Sequence, residues 1–240
     1  MAEIFVVASG KGGVGKSTFV AGISKELSDA GKKVLAVDCD TGLRSLDLLL
    51  GCGEQVVFDW GDAVLGRCEP SDAITKGETD FLAAPRQFND SFTGENLKKL
   101  IDGFAGDYDY IFLDAPAGID SGFRLAASCA DRGIIITTPD SVCVRSCERA
   151  ASELEKAGIT DIRLVINMFE VKPVRTRHLL NIDECVDETG VMLLGIVPFD
   201  RQLAFSSVTG NDPGEFSPSS QAFYRISVRM TGGTAELVCE

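Results

Sequence analysis

Apolar and polar positions alternate along this chain in two distinct rhythms. Short, continuously apolar runs recur at Ile4-Phe5-Val6-Val7-Ala8, Val34-Leu35-Ala36-Val37, Phe81-Leu82-Ala83-Ala84, Tyr110-Ile111-Phe112-Leu113, Gly133-Ile134-Ile135-Ile136-Thr137, Arg163-Leu164-Val165-Ile166-Asn167 and Val191 to Val197. Runs of this length, apolar at every position, predict strands buried on both faces. Between them the spacing becomes helical. Leu97, Leu100, Ile101 and Phe104 share one face of a helix predicted over Glu95 to Phe104. Further helices are predicted from Thr18 with Gly31 as C-cap, over 58–66, over Phe123 to Ala130, over Val142 to Ala157 with Gly158 as cap, and over Ile182 to Glu188. Ser217 or Ser219 opens a last helix on which Phe223, Ile226 and Met230 share a face. Leu48-Leu49-Leu50 is expected to pack back on the sheet, and Pro85 and Pro198 end their strands. Repeated β–α units of this kind predict an α/β fold, a mainly parallel sheet with helices on both faces. No repeat or linker interrupts the pattern, so residues 1–240 are expected to form one domain, with 232–240 as a short acidic tail.

One connection carries chemistry. Between the first strand and its helix stands Gly10-Lys11-Gly12-Gly13-Val14-Gly15-Lys16-Ser17, followed by Thr18. This is the pattern G-x-x-x-x-G-K-[ST] in its required strand-to-helix setting. The glycines allow a tight turn whose N–H groups point inward at an anion, and the helix N-terminus adds the positive end of its dipole. Lys16 is placed to neutralise outer phosphates and the Ser17 hydroxyl to ligate Mg²⁺. The stretch therefore reads as a nucleoside triphosphate site in a P-loop NTPase of three α/β/α layers.

In a parallel sheet, ligands bind beyond the carboxyl ends of the strands. Asp38 and Asp114 stand at two such ends. Asp114 suits a metal-supporting role, since an apolar strand delivers it and Ala115-Pro116-Ala117-Gly118 makes a turn able to sense a γ-phosphate. The alternative for either aspartate, weaker for Asp114, is a helix cap or turn residue. Lys11 is a second lysine in a loop that needs one, and on the residues alone it can be a solvated loop lysine.

Composition narrows the function. The net charge of -13 gives no strong nucleic-acid signal, since that binding rests on neutralising phosphates. No basic leader precedes the first strand, and no apolar stretch approaches the roughly 20 residues that span a bilayer, so a cytoplasmic protein is expected. Eight cysteines occur, none as C-x-x-C, and are expected to be reduced, mostly buried residues that hold no metal cluster.

Lys11-Gly12-Gly13-Val14-Gly15-Lys16-Ser17 resembles the deviant Walker A motif of the ParA/MinD ATPases. The likeness runs over roughly residues 3 to 231. Val37 to Asp47 resembles the switch I segment of the MinD-like branch and Asp114 to Asp120 its switch II segment. Ile134 to Asp140 and Gly195 to Pro198 follow in the family's order. The resemblance implies an ATP-dependent homodimer that hydrolyses ATP to ADP and phosphate, with a protein partner that stimulates turnover, in division-site placement. It implies that Lys16 and Lys11 bind phosphate in cis and in trans, that Ser17 ligates Mg²⁺ and Asp38 supports it, and that Asp40 positions the attacking water. It also implies that Asn167 and the backbone after Pro198 hold adenine. As an unaided residue, Asn167 is equally a turn residue at a strand end. Two other readings share the same loop: a ParA-like partitioning ATPase, for which Arg175, Arg177 and His178 offer a small basic patch, and an iron–sulfur carrier, for which the switch II segment lacks cysteine. The family's basic amphipathic tail is not expected from the last residues of the sequence. No lysine follows Lys172, and the tail is acidic, so peripheral association with the inner face of the membrane lacks its usual device.

Overall fold

The computed structural model describes residues 1–41, 45–204, 214 and 216–238. The strands are β1 (Glu3–Ala8), β2 (Val34–Asp38), β3 (Ile74–Thr75), β4 (Asp80–Leu82), β5 (Tyr110–Asp114), β6 (Arg132–Thr137), β7 (Asp161–Phe169) and β8 (Met192–Pro198). They form one sheet in the order β3-β4-β2-β5-β1-β6-β7-β8. Every pairing is parallel except that of β3 with β4. The helices are α1 (Lys16–Asp29), α2 (Leu46–Leu49), α3 (Trp60–Val64), α4 (Gly94–Phe104), α5 (Ser121–Ala127), α6 (Ser141–Lys156), α7 (Val171–Arg175), α8 (Ile182–Thr189) and α9 (Pro218–Met230).

The strands are apolar throughout because alternate side chains enter two different cores. Ile4, Val6, Leu35, Val37, Ile111 and Leu113 join Trp60, Leu97, Phe123, Val144 and Leu154 on the face covered by α3 to α6. Phe5, Val7, Val34, Ala36, Tyr110 and Phe112 join Phe19, Val20, Ile23 and Leu27 of α1, with Phe223 and Ile226 of α9, on the other. Burying each large side chain contributes about 1.5–3 kcal/mol. That burial fixes the register, since a one-residue slip would exchange the two cores. In the register observed, Asp38 lies opposite Asp114, which in turn lies opposite Val7. Three strand ends are thereby level.

The element order follows the apolar pattern, with local differences. Strand β3 has no counterpart in the sequence reading, because two residues carry no periodicity. The run 81–84 contributes only Phe81 and Leu82 to β4, and the Ala83 carbonyl accepts a hydrogen bond from the Trp60 N–H (3.0 Å) instead of extending the ladder. Helix α1 starts at Lys16, two residues early, because left-handed Gly15 already serves as its N-cap. Its C-cap is Ala30, with Gly31 at φ 79° just beyond, and Ala157 and Gly158 end α6 in the same way. Helix α5 stops at Ala127 rather than Ala130. Of the three leucines, Leu50 packs against the core beside α1, whereas Leu48 is 66% exposed, and Leu46 is the buried anchor of α2. Of the residues of the small basic patch, Arg175 ends helix α7, and Arg177 and His178 lie in the turn that follows. Of the cysteines, 39, 52, 129, 143, 147 and 185 are buried free thiols and Cys68 is half-buried. Gly42, Leu43 and Arg44 of the first switch segment and Cys239 of the tail lie outside the described residues.

Candidate functional site

The loop between β1 and α1 is built by close approach. A Cβ on Gly10 would stand 2.2 Å from the Ser146 carbonyl of α6, so only glycine lets the loop enter there. Gly15 adopts φ 92°, and a Cβ on it would meet the Asn167 amide at 2.3 Å. Lys11, Gly12 and Gly13 are exposed, Val14 and Lys16 are buried, and Ser17 and Thr18 are half-buried in the first turn of α1. The Ser9 hydroxyl donates to the Lys11 carbonyl (2.7 Å), and the Gly118 N–H donates to the Ser9 carbonyl (3.3 Å). The turn after Asp114 is therefore tied to the phosphate loop, with Ala117 against Gly12.

Around this loop the structure gathers Lys16, Ser17, Asp38, Asp40 and Asp114. Burial lowers the Lys16 ammonium pKa, while the charges of Asp114 and Asp40 pull it back up. Burial pushes Asp114 up to about 7, against a hydrogen bond with Ser17 and the charge of Lys16, and the charge of Asp38 pushes further. Asp38 is raised to about 6, again chiefly by burial, although the Asp40 and Leu46 N–H groups favour its charged form. Asp40 is half-buried and raised by burial, with Lys16 opposing. The Trp60 indole N–H donates to the Asp38 carbonyl (3.0 Å) and the Asp40 N–H to the Asp38 carboxylate (2.8 Å), which holds this strand end rigid.

Asp38 Oδ2 and Asp114 Oδ1 are buried with no hydrogen-bond partner. Two like-charged carboxylates with such oxygens fit a divalent cation, as does the neighbouring Ser17 hydroxyl. Mg²⁺ binds through one or two carboxylates plus substrate phosphates rather than a closed protein cage. Accordingly, among the described residues no group of three or more His, Cys, Asp or Glu forms such a cage. The raised carboxyls have a signed consequence. The folded, ligand-free protein keeps protons on Asp38 and Asp114 that the unfolded chain has already released. Their stabilising contribution is present at acidic pH and is lost as pH rises through about 6 and about 7. The melting temperature of wild type is expected to fall more steeply from about pH 5.5 to about pH 8 than that of Asp114→Asn. Parallel curves would contradict this account.

Asn167 does not sit in a turn. It lies within β7, buried, and its amide donates to the Val14 carbonyl at 2.7 Å. In this structure the side chain expected at adenine pins the phosphate loop. The next residue, Met168, is left-handed at φ 53°. Pro198 closes β8 and the Phe199 N–H donates to the Phe169 carbonyl. Removing the Asn167 donor in Asn167→Ala is expected to weaken tripolyphosphate and ATP alike by roughly 3- to 10-fold. Weakened ATP with unchanged tripolyphosphate, in competition titrations, would return the side chain to the base.

Lys11 stands apart from this cluster. Partial burial pushes the Asp140 carboxyl up, but hydrogen bonds from Cys143 and Thr138 and the charge of Lys11 hold it below its ordinary value. Sequence reasoning missed Trp60 as a support of Asp38, and also Ser45, whose hydroxyl donates to Ser17 at 3.3 Å. A single tryptophan close after a switch segment was the available signal.

The comparisons with known proteins agree on the family. The ParA family model, described as a NUBPL iron-transfer P-loop NTPase, matches residues 1–230. The septum site-determining protein MinD of Synechocystis is 35% identical over 240 residues, covering 97% of this chain and 90% of that protein. The Bacillus subtilis protein of the same name is 34% identical over 247 residues, covering 99% and 92%. Among solved structures, the MinC:MinD cell division protein complex of Aquifex aeolicus superposes with a TM-score of 0.91 at 32% identity, covering 99% of this chain and 98% of that one. The septum site-determining protein MinD complexed with Mg-ADP from Pyrococcus horikoshii gives a TM-score of 0.85 at 28% identity, covering 96% of each.

Proposed function

The chain belongs to the MinD proteins of the ParA/MinD family of P-loop ATPases, and we propose that it is a Mg²⁺-dependent ATPase that dimerises on ATP and serves in placing the division septum. The observation that carries this reading is the convergence of three strand ends on one phosphate loop. There a buried lysine and two carboxylates with unpartnered oxygens surround the Ser17 hydroxyl. Residues 1–240 act in this reading as one ATPase domain.

The inward N–H groups of Gly10 to Lys16 and the α1 N-terminus bind the phosphates, and Lys16 neutralises the charge that develops on them. Ser17, Asp38 and Asp114 would hold Mg²⁺, which when bound supplies charge neutralisation between the phosphates. Asp40, half-exposed beside Lys16, orients the attacking water; phosphoryl transfer needs positioning more than strong base chemistry. Lys11, exposed and outside the cluster, acts on the phosphates of the second subunit. The backbone after Pro198 borders the base, and Asn167, expected there too, acts through the phosphate loop to which its amide is bonded.

A regulatory protein partner is supported by the MinC:MinD complex of the Aquifex relative; that such a partner stimulates hydrolysis is part of the proposal. In this reading the protein acts in the cytoplasm, and its acidic tail gives peripheral association with the inner face of the membrane no support. No helix among the described residues is long and apolar enough to cross a membrane. A partitioning role on DNA is disfavoured by the net charge of -13, and the named relatives belong to the septum-site group.

Asp40→Ala is expected to bind ATP normally, hydrolyse it about a hundredfold more slowly, and elute as a stable dimer with ATP–Mg²⁺ but as a monomer with ADP. A variant that stays monomeric with ATP would count against the dimer switch.

A further inference from the structure

Outside the nucleotide site, a surface cavity of about 350 Å³ opens where the segment after α7 passes the start of α8. Its wall carries Arg175, Arg177 and His178 beside Val174, Leu180 and Asn181, with Ser141 of α6 at the rim. In a chain of net charge -13 this local gathering of cationic groups stands out. Among the described residues neither arginine is engaged by a carboxylate. The one acid in the wall, Glu184, is committed: its carboxylate accepts the Asn181 N–H at 2.8 Å in the capping box of α8. His178 uses Nδ1 on the Thr176 hydroxyl (2.8 Å). Arg177 is held left-handed at φ 58°, an uncommon conformation for a residue with a side chain. The turn that imposes it is closed by the Arg177 N–H on the Val174 carbonyl and the His178 N–H on the Pro173 carbonyl, both 3.0 Å. These two bonds are the Schellman closure of the α7 C-terminus, which fixes the backbone that carries Arg177 and His178.

We propose that this cavity is a docking pocket for an acidic segment of a protein partner, a carboxylate meeting Arg175 and Arg177 while a neighbouring apolar side chain meets Val174 and Leu180. The mixed wall decides between ligand classes. A guanidinium pair recognises a carboxylate or a phosphate equally, but free phosphate has no use for valine and leucine. A nucleic-acid duplex is too large for a cavity of this volume and would bring its charge against an acidic protein. The pocket also has a route to the nucleotide site. The Leu180 N–H donates to the Pro139 carbonyl at 2.8 Å. Pro139 precedes Asp140, which caps α6 through the Cys143 N–H (3.0 Å) and feels the charge of Lys11. An occupant of the cavity thus abuts the turn facing the lysine that the proposed dimer uses. This inference rests on the proposed function only for the nature of the partner.

His178 is the single histidine of the chain, so one imidazole resonance reports on the cavity without labelling of neighbours. The ADP–Mg²⁺ form of the full chain is titrated with an alternating Glu-Leu octapeptide, a Lys-Leu counterpart, inorganic phosphate and a short DNA duplex. The Glu-Leu peptide is expected to shift the His178 signal saturably. The double variant Arg175→Ala/Arg177→Ala is expected to weaken that response at least about tenfold. Its unstimulated ATP turnover and melting temperature should be unchanged. A response to duplex or phosphate but not to the peptide overturns the choice of occupant. No response to any probe, or an equal response from the double variant, overturns the site. Turnover measured in the same samples separates the two claims: an active enzyme with a silent cavity refutes only the pocket, whereas an inactive wild type refutes the ATPase reading.

Discussion

Lys16→Ala is expected to lower kcat/KM for ATP by about 10²- to 10³-fold while leaving the circular dichroism spectrum unchanged. The size of the effect follows from where the ammonium sits. Lys16 is 9% exposed, at the first position of α1, among Asp114 and Asp40. Among the described residues its charge is the one that opposes those of Asp114 and Asp40, so without it the charged side chains around the entering phosphates would be carboxylates. The substitution removes phosphate neutralisation and leaves the two acids uncompensated at once. Lys16→Arg should not rescue, because a planar guanidinium does not replace a compact ammonium in a buried place. Lys11 offers the contrast. It is exposed and outside the cluster, so Lys11→Ala should keep ADP affinity within about twofold. Steady-state turnover together with ADP calorimetry checks both. A Lys16→Ala protein that kept a tenth of wild-type kcat/KM would refute the role.

The second large effect is on stability. Trp60→Ala should cost about 3–5 kcal/mol, a large part of the 5–15 kcal/mol by which domains are ordinarily stable. The indole is fully buried, meets Phe92 edge-on at a centroid distance of 4.8 Å, and donates to the Asp38 carbonyl. Truncation opens a cavity beneath β2 and deprives a buried carbonyl of its donor. Trp60→Phe keeps most of the volume and should cost less, about 1–3 kcal/mol, chiefly for that carbonyl. Urea midpoints at constant slope provide the measurement. Equal losses in the two variants would mean that packing contributes little here.

How far the sequence was legible follows from the range of the forces involved. The long strands announce themselves because both faces are buried, and the P-loop because its chemistry needs fixed residue types at fixed spacing. Asp38 and Asp114 could be placed at strand ends, which in a parallel sheet is enough to bring them together. Their unpartnered oxygens could not be foreseen, since these depend on what fails to approach. Strand β3 is held by its antiparallel partner β4 rather than by any pattern of its own. Helix α7 contains Pro173 within five residues and gives no amphipathic signal. The hydrogen bond from Asn167 to Val14 spans 153 positions, and the one from Trp60 to Asp38 spans 22. Contacts of that range leave no local trace in composition or periodicity.

The support of Asp38 by Trp60 has an optical consequence. The chain carries one indole, and its N–H is bonded to the strand end that bears one of the two carboxylates with unpartnered oxygens. Tryptophan emission from this protein is therefore a single-site signal, free of background from other indoles, and it originates from a ring bonded to Asp38. Loading, hydrolysis and release can be followed in real time on the unlabelled chain.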